Sequence, residues 1–382
     1  MDQRIVIIGG GVVGASVAYH LAERGCRDVV VLERESSLGL GSTGKATGGV
    51  RAQFETEINI RLSLYSLDFF QNWEHDGGYE PRGYLFLATN EEQMAYLGSS
   101  VERQRSLGYD GVRTIDVDEI RSLVPQLNCE DIAGGTFGPR DGFIDPLAVL
   151  DGFAKGVAAK GVEFRTTQRV DAIKCESGRV TGATTADGLI ECDAVVLCAG
   201  AWARGLAATA DVDLPVEPQR RQIVWARTSE PLSPSLPMVI DLSNGFHFRP
   251  AKNSIDEVLF AYPDPTEPSS YSTDFDDGFI DKVYDKARHR APFLADTTVV
   301  REKCRAGLYE NSPDHHAILG GCDVEGLYFA NGFSGHGVMH SPATGRALAE
   351  IILDGEASFL DVSSLSIDRF AKGEFLHETG FI

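Results

Sequence analysis

Residues 4–35 constrain this chain more tightly than any other stretch. Residues 4–8 (RIVII) are apolar and β-branched, the make-up of a buried strand. Gly9-Gly10-Gly11-Val12-Val13-Gly14 follows at once, and the pattern then predicts a helix over 13–24 with Gly25 as its stop. A second strand is predicted over 29–32 (VVVL), closed by Glu33 and Arg34. With 41 Gly in 382 residues, a GxGxxG frame arises by chance roughly 0.5 times in such a chain, so the frame alone decides nothing. Its context decides: the glycines end a strand, open a helix and precede, by about 20 residues, an acid that closes the next strand. Gly9 permits the tight turn, Gly11 lets backbone approach a pyrophosphate, and Gly14 lets helix and strand pack closely. The helix N-terminus at Val12 and Val13 offers free N–H groups and a positive dipole end. Glu33 suits ribose hydroxyls and repels a 2′-phosphate, which disfavours NADP.

Three further segments favour FAD over NAD. Residues 39–51 (GLGSTGKATGGVR) are glycine-rich where many NAD enzymes enter another helix. Small residues let the chain run flat against a large planar group, and Ser and Thr hydroxyls can meet its polar edge; Gly41, Ser42, Thr43, Lys45, Ala46, Thr47 and Gly48 are the expected contacts. The bland alternative is an ordinary loop. Residues 194–199 (AVVLCA) predict an apolar strand ending on Gly200-Ala201-Trp202, so that Ala199, Gly200 and Trp202 allow close passage of a ligand. The preceding 165–173 and 179–185 read as strands of a small sheet, turned at Glu176-Ser177-Gly178. Residues 327–330 predict a strand, followed by Asn331-Gly332-Phe333-Ser334-Gly335-His336-Gly337-Val338 and a helix to about 353, with Ser341-Pro342 as its N-cap and first residue. Successive small residues ahead of a helix form a concave array of N–H groups, a seat for the anionic edge of a reduced flavin. There is no second strand–GxGxxG–helix unit, so the electron donor is expected to be a small substrate rather than NAD(P)H.

Charge and cysteine usage narrow the partners. The 35 basic and 56 acidic residues give a net charge of −21, a field that repels nucleic acid and anionic lipid. No apolar run is long enough to span a membrane. Seven scattered Cys without a CxxC pair read as reduced core thiols, and the chain opens directly into a strand pattern; a cytoplasmic location is the expectation. His315-His316 are adjacent and lack a carboxylate at ligand spacing, so no metal site is expected; Glu310 and Asp314 beside them read as loop charges.

Together, IVIIGGGVVGASVAYHL (5–21), VVLERES (30–36), GSTGKATGGVR (41–51), DGFIDP (141–146), VVLCAGAW (195–202), AGLYENSPDHHAILG (306–320) and GLYFANGFSGHGVMHSPATGRALAE (326–350) resemble the D-amino-acid-oxidase-type FAD superfamily. Within it the chain is most similar to the branch of sarcosine oxidase, sarcosine dehydrogenase and the L-proline dehydrogenase β-subunit. The resemblance implies an α/β fold: a Rossmann-like FAD-binding domain carrying an inserted α+β substrate domain on a mainly antiparallel sheet. The flavin domain would take 1–80, 141–215 and 307–365, the substrate domain 81–140 and 216–306, and 366–382 would form a tail. In outline the sequence agrees. A strand is predicted over 83–90, a helix over 91–107, strand-like residues from 216 up to a helix over 277–291, and a helix start at Asp145-Pro146.

By resemblance Arg51 holds a substrate carboxylate, for which a planar guanidinium is suited. Tyr309 is an active-site tyrosine, His336 belongs to the flavin loop, and Arg249 in HFRP is a further cation on the substrate-domain sheet; Val170 and Gly307 join the expected flavin contacts. Three positions depart from the family pattern. Gly307 stands where covalent flavin oxidases carry Cys, and Lys45 where dimethylglycine dehydrogenases carry the flavin-linking His, so noncovalent FAD is expected. Met339 stands where sarcosine oxidases carry a carboxylate-binding Lys, leaving Arg51 as the main carboxylate candidate. The expected activity is oxidation of the C–N bond of a small secondary or N-methyl amino acid, sarcosine- or proline-like. Hydride would pass to flavin N5, the imine would hydrolyse, and electrons would go to O2 or a partner carrier. A homo-oligomer or a hetero-oligomeric complex is compatible with this. Two rivals stay open. One is an FAD-dependent 2-hydroxy-acid or polyol-phosphate dehydrogenase with His336 or His247 as base. The other is a non-catalytic flavoprotein-like assembly subunit.

Overall fold

The computed structural model describes residues 3–378. Its main sheet has six strands in the order Ile318–Gly321, Leu327–Asn331, Ala194–Leu197, Ile5–Ile8, Val29–Leu32 and Val162–Arg165. All neighbours are parallel except the edge strand Ile318–Gly321. The three central strands are apolar throughout and buried throughout, as a sheet covered on both faces requires. Alternation sorts their side chains. Ile5, Ile7, Val29, Val31, Ala194 and Val196 pack with Ala15 and Ala18 of helix Val12–Glu23 and with Ala343 and Ala347 of helix Gly337–Asp354. Val6, Ile8, Val30, Leu32, Val195 and Leu197 pack instead against Val170, Ile173, Val180 and Ala183 of a three-stranded antiparallel layer.

A second, nine-stranded sheet is antiparallel except where Met238–Asp241 runs parallel to Tyr84–Ala88. Its long strand Glu217–Arg227 pairs on one side with Arg305–Asn311, which leads the chain back to the main sheet. Helix Gly278–Arg290 lies on this sheet and is anchored by a buried ion pair. The Arg290 Nε donates to Asp241 at 2.7 Å, and its Nη1 to Asp131 at 2.8 Å. No described helix is long and apolar enough to cross a membrane.

Two expectations about element boundaries are corrected. The C-terminal helix begins at Gly337, and Pro342 lies inside it rather than at its first position. Pro342 has no N–H for the carbonyl of Val338, and the Ser341 hydroxyl takes that role, donating to Val338 O at 2.9 Å. The small sheet begins at Val170–Glu176, not at 165. Arg165 instead closes a strand of the main sheet, and Thr167, at φ 57°, breaks the chain between the two. Asp145 does cap the helix Pro146–Val157, accepting from the Leu147 and Ala148 N–H groups.

Candidate active site

The glycine turn after the first strand is shaped by its own packing at two positions and not at the third. Gly9 has φ 110°, and a Cβ there would lie 2.3 Å from the Cys198 carbonyl oxygen. A Cβ on Gly14 would lie 2.0 Å from Gly9 O, so the helix can press onto the turn only without one. Gly11 differs: its φ of −72° suits any residue, and an added Cβ would meet only Thr43 Oγ1, at 3.2 Å. The open side of Gly11 therefore faces a cavity. Gly11 is the N-cap of helix Val12–Glu23, which has no acid in its first turn; the Val12 N–H, expected to be free, donates to the Thr43 hydroxyl at 3.1 Å. The positive end of the helix still opens on the cavity, which suits an anion.

Glu33 is fixed by backbone donors, its Oε2 accepting from Gly10 N at 2.9 Å and its Oε1 from Glu35 N at 2.9 Å. The Arg34 guanidinium stacks on Trp202, 3.5 Å from the ring centroid. The 41–48 loop is held against strand Arg305–Asn311. Ser42 donates to Leu308 O at 2.8 Å, and Arg305 donates to Lys45 O at 3.2 Å and Ala46 O at 3.0 Å. All these segments border one cavity of about 510 Å³, inside the roughly 300–1,000 Å³ span of small-molecule sites.

The cavity gathers nearly every residue expected from the sequence. Gly9, Gly11, Val12, Val13, Glu33, Arg34, Gly41, Ser42, Thr43, Lys45, Ala46, Thr47 and Gly48 line it. So do Val170, Ala199, Gly200, Trp202, Gly307, Phe333, Gly335, His336, Gly337 and Val338, with Arg51 and Tyr309. Gly14, Gly332, Ser334 and Arg249 do not. Gly14 packs helix on turn, the role expected of it. Ser334 is fully buried behind the loop, donating to Gly332 O and accepting from Ser312 N. Arg249 is turned into the wall, where it donates to Pro250 O and Thr47 O. It braces the 41–48 loop rather than facing a ligand, and burial draws its pKa down to about 10.

At the far end of the cavity Arg51 is 5% exposed. Its guanidinium lies 4.0 Å from the Phe54 ring centroid and 5.3 Å from that of Phe86, and it donates to Gln53 O at 2.5 Å. Among the described residues no carboxylate lies within ion-pair distance of it. Sequence reasoning missed the group that sets its backbone. Asp141, fully buried, accepts from Ala52 N and Gln53 Nε2, each at 2.8 Å, and from the Tyr109 hydroxyl at 2.7 Å. Burial pushes this carboxyl up to about 6 against those donors, so it is ionised at neutral pH. Its signal was an acid in the segment DGFIDP, two of whose partners, Ala52 and Gln53, lie about 90 residues away in sequence.

Tyr309 and His336 stand nearby. Burial raises the Tyr309 hydroxyl above its ordinary value, with Arg221 and Arg51 opposing. Burial, reinforced by Arg51, holds His336 well below the usual histidine range, so its imidazole is neutral. Its ring meets Phe54 edge-on at 4.9 Å. Tyr84, Met238, Ile240 and Tyr262 add apolar wall, and Arg221 and His247 enter from the nine-stranded sheet.

Glu310 and Asp314 are not loop charges. Asp314 is buried and paired with Arg369 at 2.7 Å. Glu310 lines the cavity, and its Oε2 is sealed from solvent without a hydrogen-bond partner among the described residues. Burial pushes this carboxyl up to about 8. The folded protein then holds a proton that the unfolded chain has released, so the contribution of Glu310 to the stability of cofactor-free protein is expected to fall as pH rises from about 5 to about 9. Glu310→Gln is expected to flatten that slope, measured as melting temperature against pH. An unchanged slope would show that Glu310 ionises normally.

Comparison with known proteins gives one family. Residues 4–351 match the family described as DAO, FAD dependent oxidoreductase. FAD-dependent oxidoreductase domain-containing protein 1 of Xenopus laevis is 32% identical, over 99% of this chain and 84% of that protein. The formaldehyde-forming 4-methylaminobutanoate oxidase of Paenarthrobacter nicotinovorans is 29% identical, over 96% of this chain and 46% of that protein. The crystal structure of L-proline dehydrogenase from P. horikoshii superposes with a TM-score of 0.90 at 28% identity, covering 98% of this chain and 99% of that one.

Proposed function

Because the chain belongs to the DAO family of FAD-dependent oxidoreductases, with FAD as its cofactor, we propose that it oxidises the C–N bond of a small secondary or N-methyl amino acid. The observation that carries this reading is the buried Arg51 guanidinium, which borders the cavity with no carboxylate of its own. The names of two relatives support the substrate class: proline and 4-methylaminobutanoate are both secondary amines bearing a carboxylate.

In this reading the Gly9–Gly11 turn and the helix start at Val12 would hold the pyrophosphate, Glu33 the adenosine ribose, and the 41–48 and 333–338 loops the flavin ring. We assign the flavin domain to 1–80, 141–215 and 307–365, and the substrate domain to 81–140 and 216–306. When bound, FAD supplies the two-electron acceptor. The chain's own residues supply placement. Arg51 docks the substrate carboxylate bidentately, and Asp141 keeps Arg51 in position through residues 52 and 53. Tyr84, Met238, Ile240 and Tyr262 exclude water from the amine end. The amine reacts in its neutral form, because its lone pair must be free. No side-chain base is required beyond loss of that proton to solvent, and hydrolysis of the imine product completes the reaction. With glycine at 307, no thiol stands at the position where covalent flavin oxidases carry Cys, so acid precipitation is expected to release all the yellow pigment into the supernatant; pigment retained in the pellet would contradict noncovalent binding. Product analysis tests the activity itself. N-Methyl amino acids or proline should yield carbonyl products in step with flavin reduction, and 2-hydroxy acids should yield none. Turnover of the hydroxy acids alone would overturn the proposal.

A further inference from the structure

Arg221 is a further cation on the cavity that Arg34, Lys45, Arg51 and Arg169 also line, and it came from no motif. Strand Glu217–Arg227 places neighbours on opposite faces. Arg220 turns to Glu267, at 2.8 Å, while Arg221 borders the cavity. Its guanidinium carbon lies 5.3 Å from the centroid of the Tyr309 ring. Its Nε is shielded from solvent without a hydrogen-bond partner, and its Nη1 reaches only the Arg220 carbonyl, at 3.3 Å. The two acids that act on it electrostatically are already occupied: Glu267 with Arg220, and Asp264 with Lys282 at 2.7 Å. Arg51 and Arg221 border the same cavity as Tyr309 and His247, and both cations act electrostatically on those two side chains. A chain of net charge −21 thus keeps two uncompensated guanidinium groups on a single, largely apolar cavity. Two like charges at low polarity repel; a ligand with one negative group offsets half of the excess charge, and a ligand with two offsets all of it.

We infer that the substrate is a dicarboxylate: a secondary amine whose α-carboxylate docks on Arg51 and whose second carboxylate, on the side chain or the N-substituent, docks on Arg221 beside Tyr309. This rests on the amine-oxidation reading and narrows it.

The test uses the FAD-loaded protein and two measurements. The first is kcat/KM for matched pairs: N-methylglutamate and iminodiacetate against N-methylalanine and sarcosine. The dicarboxylates are expected to be favoured by about 10- to 100-fold, and Arg221→Met is expected to remove that preference. The second needs no turnover: unreactive glutarate and butyrate are titrated while the visible flavin band is followed. Glutarate is expected to bind about 10- to 100-fold more tightly, and to lose that margin in Arg221→Met. Equal treatment of mono- and dicarboxylates by the wild-type protein overturns the inference without needing the variant. So does an Arg221→Met protein that weakens both classes alike. If monocarboxylate amines alone reduce the flavin, only this inference fails; if no amine of either class does, the amine-oxidation reading fails and the inference falls with it.

Discussion

Arg51→Met is expected to raise KM for the amino-acid substrate by about 100- to 1,000-fold while the purified protein stays yellow. Methionine keeps apolar volume between Phe54 and Phe86, where the guanidinium now lies, so the packing loss is modest. The charge loss is not. A substrate carboxylate brought into this cavity loses its hydration, and without a cation it costs about 3–4 kcal/mol, which is the stated factor in affinity. The effect should fall on KM more than on kcat, since the carboxylate contact is made in the bound state and kept through the reaction. FAD content, measured by absorbance, separates this from loss of the cofactor. A variant whose KM stays within threefold of the wild type would remove Arg51 from substrate binding.

The glycines of the first turn should separate into structural and ligand-facing positions. Gly14→Ala forces a methyl to within 2.0 Å of Gly9 O, a backbone clash that no rotamer change relieves. The expected cost is about 3 kcal/mol or more, seen as a large fall in melting temperature or as insoluble protein. Gly11→Ala meets only Thr43 Oγ1, at 3.2 Å. Its cofactor-free melting temperature should therefore stay close to that of the wild type. Its FAD dissociation constant should nonetheless rise by about 100-fold, because the methyl occupies the surface a pyrophosphate would approach. The pair is read by thermal melts and by quenching of FAD fluorescence on binding. Equal FAD affinity in wild type and Gly11→Ala would mean that the turn does not face the cofactor.

These glycines were legible because everything that defines them is local. An apolar strand, a glycine turn, a helix and an acid lie within 35 residues, and their spacing states the geometry. The same holds for the 41–48 loop and for the 333–338 loop, which the fold brings to one cavity. Residues whose meaning depends on distant partners were not legible. Arg221 belongs to no motif, and only strand pairing with Arg305–Asn311 sets it beside Tyr309. Asp141 gained a role only when the chain returned to Ala52 and Gln53. Glu310 sat in a polar segment and turned inward. The start of the C-terminal helix was misread for a different reason. Ser-Pro is a sound start signal, and here the serine hydroxyl satisfied the carbonyl that proline leaves without a donor, so the pair fits mid-helix. Arg249, a cation on the expected sheet, proved to brace a loop because two backbone carbonyls met its guanidinium first.

The most direct test of the central claim is an anaerobic titration of the as-isolated protein with secondary amino acids, mono- and dicarboxylate, while the visible flavin spectrum is recorded. The account predicts a yellow protein whose absorbance bleaches on addition of such an amine and returns when air or an artificial acceptor is admitted. A flavin that dithionite reduces but that no secondary amine bleaches would contradict it.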